Sequence, residues 1–109
     1  MKVRLIEYEK EDLFKGTIFQ FKCEYNSTYT KKDHVLMLCE CQCPVENASP
    51  FALYYIKGYY AGTQLLILPK EAMTKTPYTK AISRTWLEKN WKKYIYDCDP
   101  NDVKIKIKL

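Results

Sequence analysis

Thr17-Ile18-Phe19-Gln20-Phe21-Lys22-Cys23-Glu24-Tyr25 decides the fold class. Phe19, Phe21, Cys23 and Tyr25 alternate with Gln20, Lys22 and Glu24. Successive side chains of a strand point to opposite faces, so this period of two buries one face and wets the other. The same pattern recurs on both sides of it. Val3 to Tyr8 predicts a preceding strand, and the charged stretch Glu9 to Gly16 predicts a turn pivoting on Gly16. After a polar loop, Asn26 to Asp33, a strand is expected over His34 to Cys43. Its odd positions are Val35, Met37, Cys39, Cys41 and Cys43; its even positions run from His34, Leu36 and Leu38 to Glu40 and Gln42. Pro44 to Pro50 breaks the pattern, and Phe51 to Lys57 is a further strand, apolar on both faces. Gly58-Tyr59-Tyr60-Ala61-Gly62 is a tight connection. Thr63 to Leu68 is a fifth strand, ended by Pro69. Residues 70–80 are expected to be irregular or weakly helical, with Pro77 limiting any helix.

One helix is expected, from Ser83 to about Tyr94. Thr85 and Glu88 have capping-box spacing, and Ser83 is an alternative cap. At a turn every 3.6 residues, Leu87, Trp91 and Tyr94 fall within about 60° of one another. That stripe faces the sheet, so the indoles are expected to dock inward, while Lys89, Lys92 and Lys93 face solvent. Asp99-Pro100-Asn101-Asp102 is a turn, and Val103 to Leu109 closes the chain as a strand. Val103, Ile105, Ile107 and Leu109 are expected to face in; Lys104, Lys106 and Lys108 face out and suit a protected sheet edge. The expected fold is α+β: a mostly antiparallel, strongly curved sheet with one main C-terminal helix packed on it.

Composition bounds the function classes. The chain has 109 residues, the size of one domain, and no linker or internal repeat divides residues 1–109. Its apolar content of 47% is too high for a disordered chain. The longest aliphatic run, Leu65 to Leu68, is far shorter than the roughly 20 residues of a membrane helix. Charges interrupt the first apolar residues, unlike an export signal, so a cytoplasmic location is expected. Five cysteines are then expected to be reduced thiols. On a strand, Cys39, Cys41 and Cys43 recur about 6.5–7 Å apart, too far for one tetrahedral zinc, so they are expected to pack as small buried hydrophobes.

No catalytic constellation is legible. The single histidine, His34, has the opposite strand parity to Cys39 and Cys41, which argues against a local Cys–His dyad. Glycines 16, 58 and 62 cannot form a phosphate-binding loop. No enzyme activity, cofactor or metal is expected. Residues 80–109 carry eight Lys and Arg against four acidic residues, which supply most of the net charge of +5. With ten tyrosines, this suits either a protein interface or, as the alternative, a small basic nucleic-acid-binding module. No RNA-recognition aromatic element or Gly-x-x-Gly loop supports the latter.

The segment Lys57-Gly58-Tyr59-Tyr60-Ala61-Gly62 leads to the strand ending at Pro69. It is followed by Ser83-Arg84-Thr85-Trp86-Leu87-Glu88-Lys89-Asn90-Trp91-Lys92-Lys93-Tyr94-Ile95-Tyr96-Asp97-Cys98 and then Asp102-Val103. This resembles the immunity-protein-45-type proteins of bacterial polymorphic toxin systems. Trp86 or Leu87, Asn90, Trp91, Tyr96 and Cys98 match that family's pattern; Tyr94 stands where the pattern has tryptophan, and no proline follows Tyr96. The resemblance implies a small cytoplasmic antidote that binds and blocks a cognate toxin, without enzymatic activity or cofactor; a monomer or homodimer is expected. The motif residues Gly58, Gly62, Leu87, Asn90 and Trp91 are expected to be structural, with Asn90 tying a loop carbonyl. The toxin contacts expected are Tyr59, Tyr60, Lys89, Lys92 and Lys93.

Overall fold

The computed structural model of the chain describes residues 2–23, 32–41, 46, 48–58, 60–74 and 80–107. Among the described residues eight strands run in chain order: β1 (Lys2–Arg4), β2 (Asp12–Leu13), β3 (Ile18–Cys23), β4 (Lys32–Glu40), β5 (Ala48–Tyr55), β6 (Gln64–Pro69), β7 (Ile82–Ser83) and β8 (Lys104–Lys106). One α-helix, α1 (Arg84–Asn90), follows β7 and runs on into a π-turn over Trp91–Ile95. Six strands form an antiparallel sheet in the order β1-β8-β3-β4-β5-β6, and β2 pairs with β7 beside it. The fold is α+β, as the period-two and helical segments predict. The sheet is open, with β1 and β6 as its two edges, rather than closed into a barrel. The register of the β5–β6 ladder shifts between Ala48 and Ala52 and again between Leu53 and Tyr54.

Alternation assigns the faces. Phe19 lies opposite Leu36 on β4 and opposite Ile105 on β8, and all three are buried. Leu38 lies opposite Leu53, which pairs in turn with Leu66. Leu5, Leu13, Ile82, Leu87, Trp91 and Val103 close over this inner face. The expected inward stripe of the helix holds for Leu87 and Trp91, both fully buried. It fails for Tyr94, which is 48% exposed, while Ile95 is buried. The π-turn is the cause: the Tyr96 N–H donates to the Trp91 carbonyl at 3.0 Å. This five-residue repeat winds more slowly than an α-helix and brings Ile95, not Tyr94, beneath Trp91. Trp86 is only half-buried and packs against the margin of the core, stacked on Tyr94.

Several boundaries shift for non-local reasons. The first strand stops at Arg4, because the Leu5 N–H turns to the Val103 carbonyl and a 3-10 turn carries Leu5–Glu7. The charged stretch after it is not all turn: β2 forms because β7 offers it a ladder. Lys32 and Asp33 join β4 rather than the loop, and Ser49 and Pro50 join β5 rather than the break before it. The last strand is short, and Ile107 is 37% exposed instead of facing in. Its position also corrects the edge reading: β8 lies between β1 and β3. Cys39 and Cys41 are half-buried rather than buried, because Leu36 and Leu38 take the core side of β4. The expectations for Asn26, Cys43, Pro44, Tyr59, Pro77, Lys108 and Leu109 fall outside the described residues.

Candidate functional site

The start of the helix is set by a residue far away in sequence. The Ser83 hydroxyl accepts from the Trp86 N–H at 3.1 Å, so Ser83 is the cap. Pairing of β2 with β7 brings Glu11 alongside. Its carboxylate accepts from the Thr85 hydroxyl at 2.6 Å, from the Thr85 N–H at 3.2 Å and from the Ser83 hydroxyl. Partial burial alone would push the Glu11 carboxyl up, but these bonds, with the nearby Arg84 charge, together hold it below its usual range. The expected Thr85–Glu88 box does not form; Glu88 pairs instead with Arg84 at 2.9 Å, one turn back.

At the far end of the helix the family-pattern residues act as joinery. The Asn90 amide donates to the Trp86 carbonyl at 2.9 Å, so it ties the helix's own backbone rather than a loop. The Trp91 indole N–H reaches the Cys98 sulfur at 3.3 Å, and its ring packs 5.6 Å from Phe19 and 5.5 Å from Phe21. Gly58 and Gly62 hold φ of 85° and 89°, left-handed conformations that glycine adopts without strain, and so shape the β5–β6 turn.

Lys89, Lys92 and Lys93 are exposed, as expected, and Tyr60 is 59% exposed on the β5–β6 turn. Tyr59 lies outside the described residues. A chain of rings links the two groups. Tyr60 meets Tyr55 at 5.8 Å, Tyr55 meets His34 at 6.0 Å, and His34 meets Tyr96 at 4.7 Å. Tyr96 directly follows the π-turn that carries Lys92 and Lys93. His34 also stacks on Phe21 at 5.0 Å. Burial, and secondarily the neighbouring Tyr60, pushes the Tyr55 hydroxyl up. Sequence reasoning missed Tyr94 as a surface group and half-buried Trp86 as its neighbour. Their rings stack 5.7 Å apart, with the Lys93 ammonium 5.4 Å from the Tyr94 ring centre. It also missed His34 as the hub of the ring chain, although its parity with Leu36 and Leu38 places it on the core side.

Other chemistry is thinly provided. Among the described residues no group of three or more His, Cys, Asp or Glu stands close enough to hold a metal ion. Burial pushes the Cys39 thiol up, away from the reactive thiolate. A groove of about 430 Å³ near the β1 edge is lined by Val3, Tyr8, Ile105 and Ile107 together with Glu7, Glu9 and Lys10. Among the described residues, no helix is long and apolar enough to cross a membrane.

No curated protein and no solved structure matches the chain. The family model for immunity protein 45 matches residues 5–105, from the first buried leucine to the last buried isoleucine of the core. That span includes Leu87, Trp91, Tyr96 and Cys98, which pack in or against the core, and Asn90, which ties the helix backbone. The chain belongs to the immunity protein 45 family.

Proposed function

We propose that this chain is the antidote of a polymorphic toxin system. It binds a cognate bacterial toxin stoichiometrically and neutralises it in the cytoplasm of a cell engaged in interbacterial competition, acting as a monomer or homodimer and without catalysis of its own. The observation that carries this reading is the family match over residues 5–105. The surface chemistry supports it. Exposed Tyr60, Tyr94, Lys92 and Lys93 supply aromatic area and cations, the residue types that give protein interfaces contact area and electrostatic selectivity. The contact expected from the sequence is Lys89, Lys92 and Lys93 with Tyr60 and Tyr59; of these the described residues Lys89, Lys92, Lys93 and Tyr60 are exposed.

The test is co-expression with the toxin encoded beside this chain's gene. Cells carrying both should grow, and the purified pair should elute as one complex of fixed stoichiometry by light scattering. Death at the rate seen without this chain contradicts the reading.

A further inference from the structure

The second cationic surface lies on the other side of the sheet. Lys104 and Lys106 alternate with buried Ile105 and so project from the outer face, away from Trp91 and the helix. Edge protection cannot explain them, because β8 is flanked by β1 and β3. The register makes their placement unfavourable. Lys106 lies directly opposite Lys2, and Lys104 directly opposite Arg4. Side chains paired in this way stand about 5 Å apart at Cβ, and like charges there destabilise a sheet.

All four cations are exposed. Arg4 is partly neutralised by its ion pair with Glu7. Among the described residues no carboxylate stands within ion-pair reach of Lys2, Lys104 or Lys106. The same face turns apolar one strand further on. Lys106 is followed across the sheet by Ile18, then Met37, then Tyr54; Lys104 is followed by Gln20 and Val35. The helix lysines differ, since cations near a helix C-terminus are favoured by its dipole. Their presence has a reason within the fold, whereas nothing among the described residues supplies one for Lys104 and Lys106.

We infer that the outer face of β1, β8, β3 and β4, rather than the helix strip, is the principal toxin-docking surface, and that a carboxylate-rich patch of the toxin supplies its counter-charge. The inference rests on the toxin-binding reading and names the surface and the partner chemistry within it. A protein occupant is favoured over a nucleic acid because the cations border an apolar row. Ile18 and Met37, both half-buried, suit the desolvated centre of a protein interface, whereas a phosphate backbone offers them nothing to bury against.

The experiment compares wild type, K104E/K106E and K89E/K92E/K93E. Two readouts are used: the thermal midpoint of the free protein, and titration against an inactivated form of the toxin encoded beside the gene. In K104E/K106E both like-charged pairs become opposite-charged. The midpoint is expected to rise by about 3–6 °C, while affinity for the toxin falls about tenfold to a hundredfold. The helix variant should bind within about threefold of wild type, the scale of a rim contact. Unchanged affinity in K104E/K106E overturns the docking surface while leaving the antidote reading intact. A lowered midpoint overturns it too, because the lysines would then serve the fold. Failure of wild type to bind overturns the antidote reading and this inference with it. Tight binding of single-stranded DNA that K104E/K106E abolishes overturns the choice of occupant.

Discussion

Lys89, Lys92 and Lys93 close a helix, whereas Lys104 and Lys106 stand inside a sheet with a strand on either side. Both groups are exposed, and in the sequence both look like ordinary solvated faces. The fold separates them. The helix cations sit where the backbone dipole welcomes positive charge, and Lys93 also rests against the Tyr94 ring. The strand cations face Lys2 and Arg4 in register, where the backbone ladder forces like charges together. A charge that local structure favours says little about partners. On the proposed reading, one that local structure penalises points outward, to a partner.

The contrast depends on the helix staying on the inner face, and the largest effect comes from removing what holds it there. Trp91 is fully buried between Phe19 and Phe21, so Trp91→Ala should cost about 3–5 kcal/mol in chemical denaturation. A loss below about 1 kcal/mol would mean that the helix is not anchored through this ring. Next in size is the toxin affinity of K104E/K106E, whose loss beside a raised thermal midpoint would sharpen the difference between the two surfaces. Glu11→Ala leaves the Thr85 N–H and the Ser83 hydroxyl without their long-range acceptor, and should cost about 1 kcal/mol.

Glu11 also makes a pH prediction. Its carboxyl binds a proton more weakly folded than unfolded, so its contribution is complete above the usual glutamate range. That contribution drains away as pH falls through the lowered folded value. Acid titration of stability should therefore be flatter in Glu11→Ala than in wild type; identical slopes would remove Glu11 from the account. Because the side chain is exposed, solvent screening keeps this term small. The smallest effect expected is that of K89E/K92E/K93E on stability, a loss of about 1 kcal/mol or less from the unfavourable dipole contact. A stability gain there would erase the distinction drawn between the helix and the sheet.

What the sequence made legible was local. The alternation around Phe19 and Phe21 located a strand and its core side, and the spacing of Leu87 and Trp91 located the buried stripe of the helix. Period two, however, says which side a residue faces and nothing about which strand lies beside it. Lys104 and Lys106 were therefore legible as outward residues, while their register with Lys2 and Arg4 was not. The same limit hid Glu11, whose partners lie more than seventy residues away. It also hid the hub formed when His34 meets Phe21, Tyr55 and Tyr96 from three separate segments. The π-turn escaped for another reason: a one-residue change in repeat rotates Tyr94 out and Ile95 in without altering composition. The proposed contact lysines of the helix were visible because exposure on a helix follows from spacing alone. The face with the stronger claim to the toxin depends on strand order.

Lysine footprinting decides between the two surfaces most directly. The free chain and its complex with the neighbouring toxin are each reductively methylated, and every lysine is quantified by mass spectrometry. The account predicts that Lys2, Lys104 and Lys106 become protected in the complex while Lys89, Lys92 and Lys93 react as they do in the free chain. Protection of the helix lysines, with Lys104 and Lys106 still reacting freely, would contradict it.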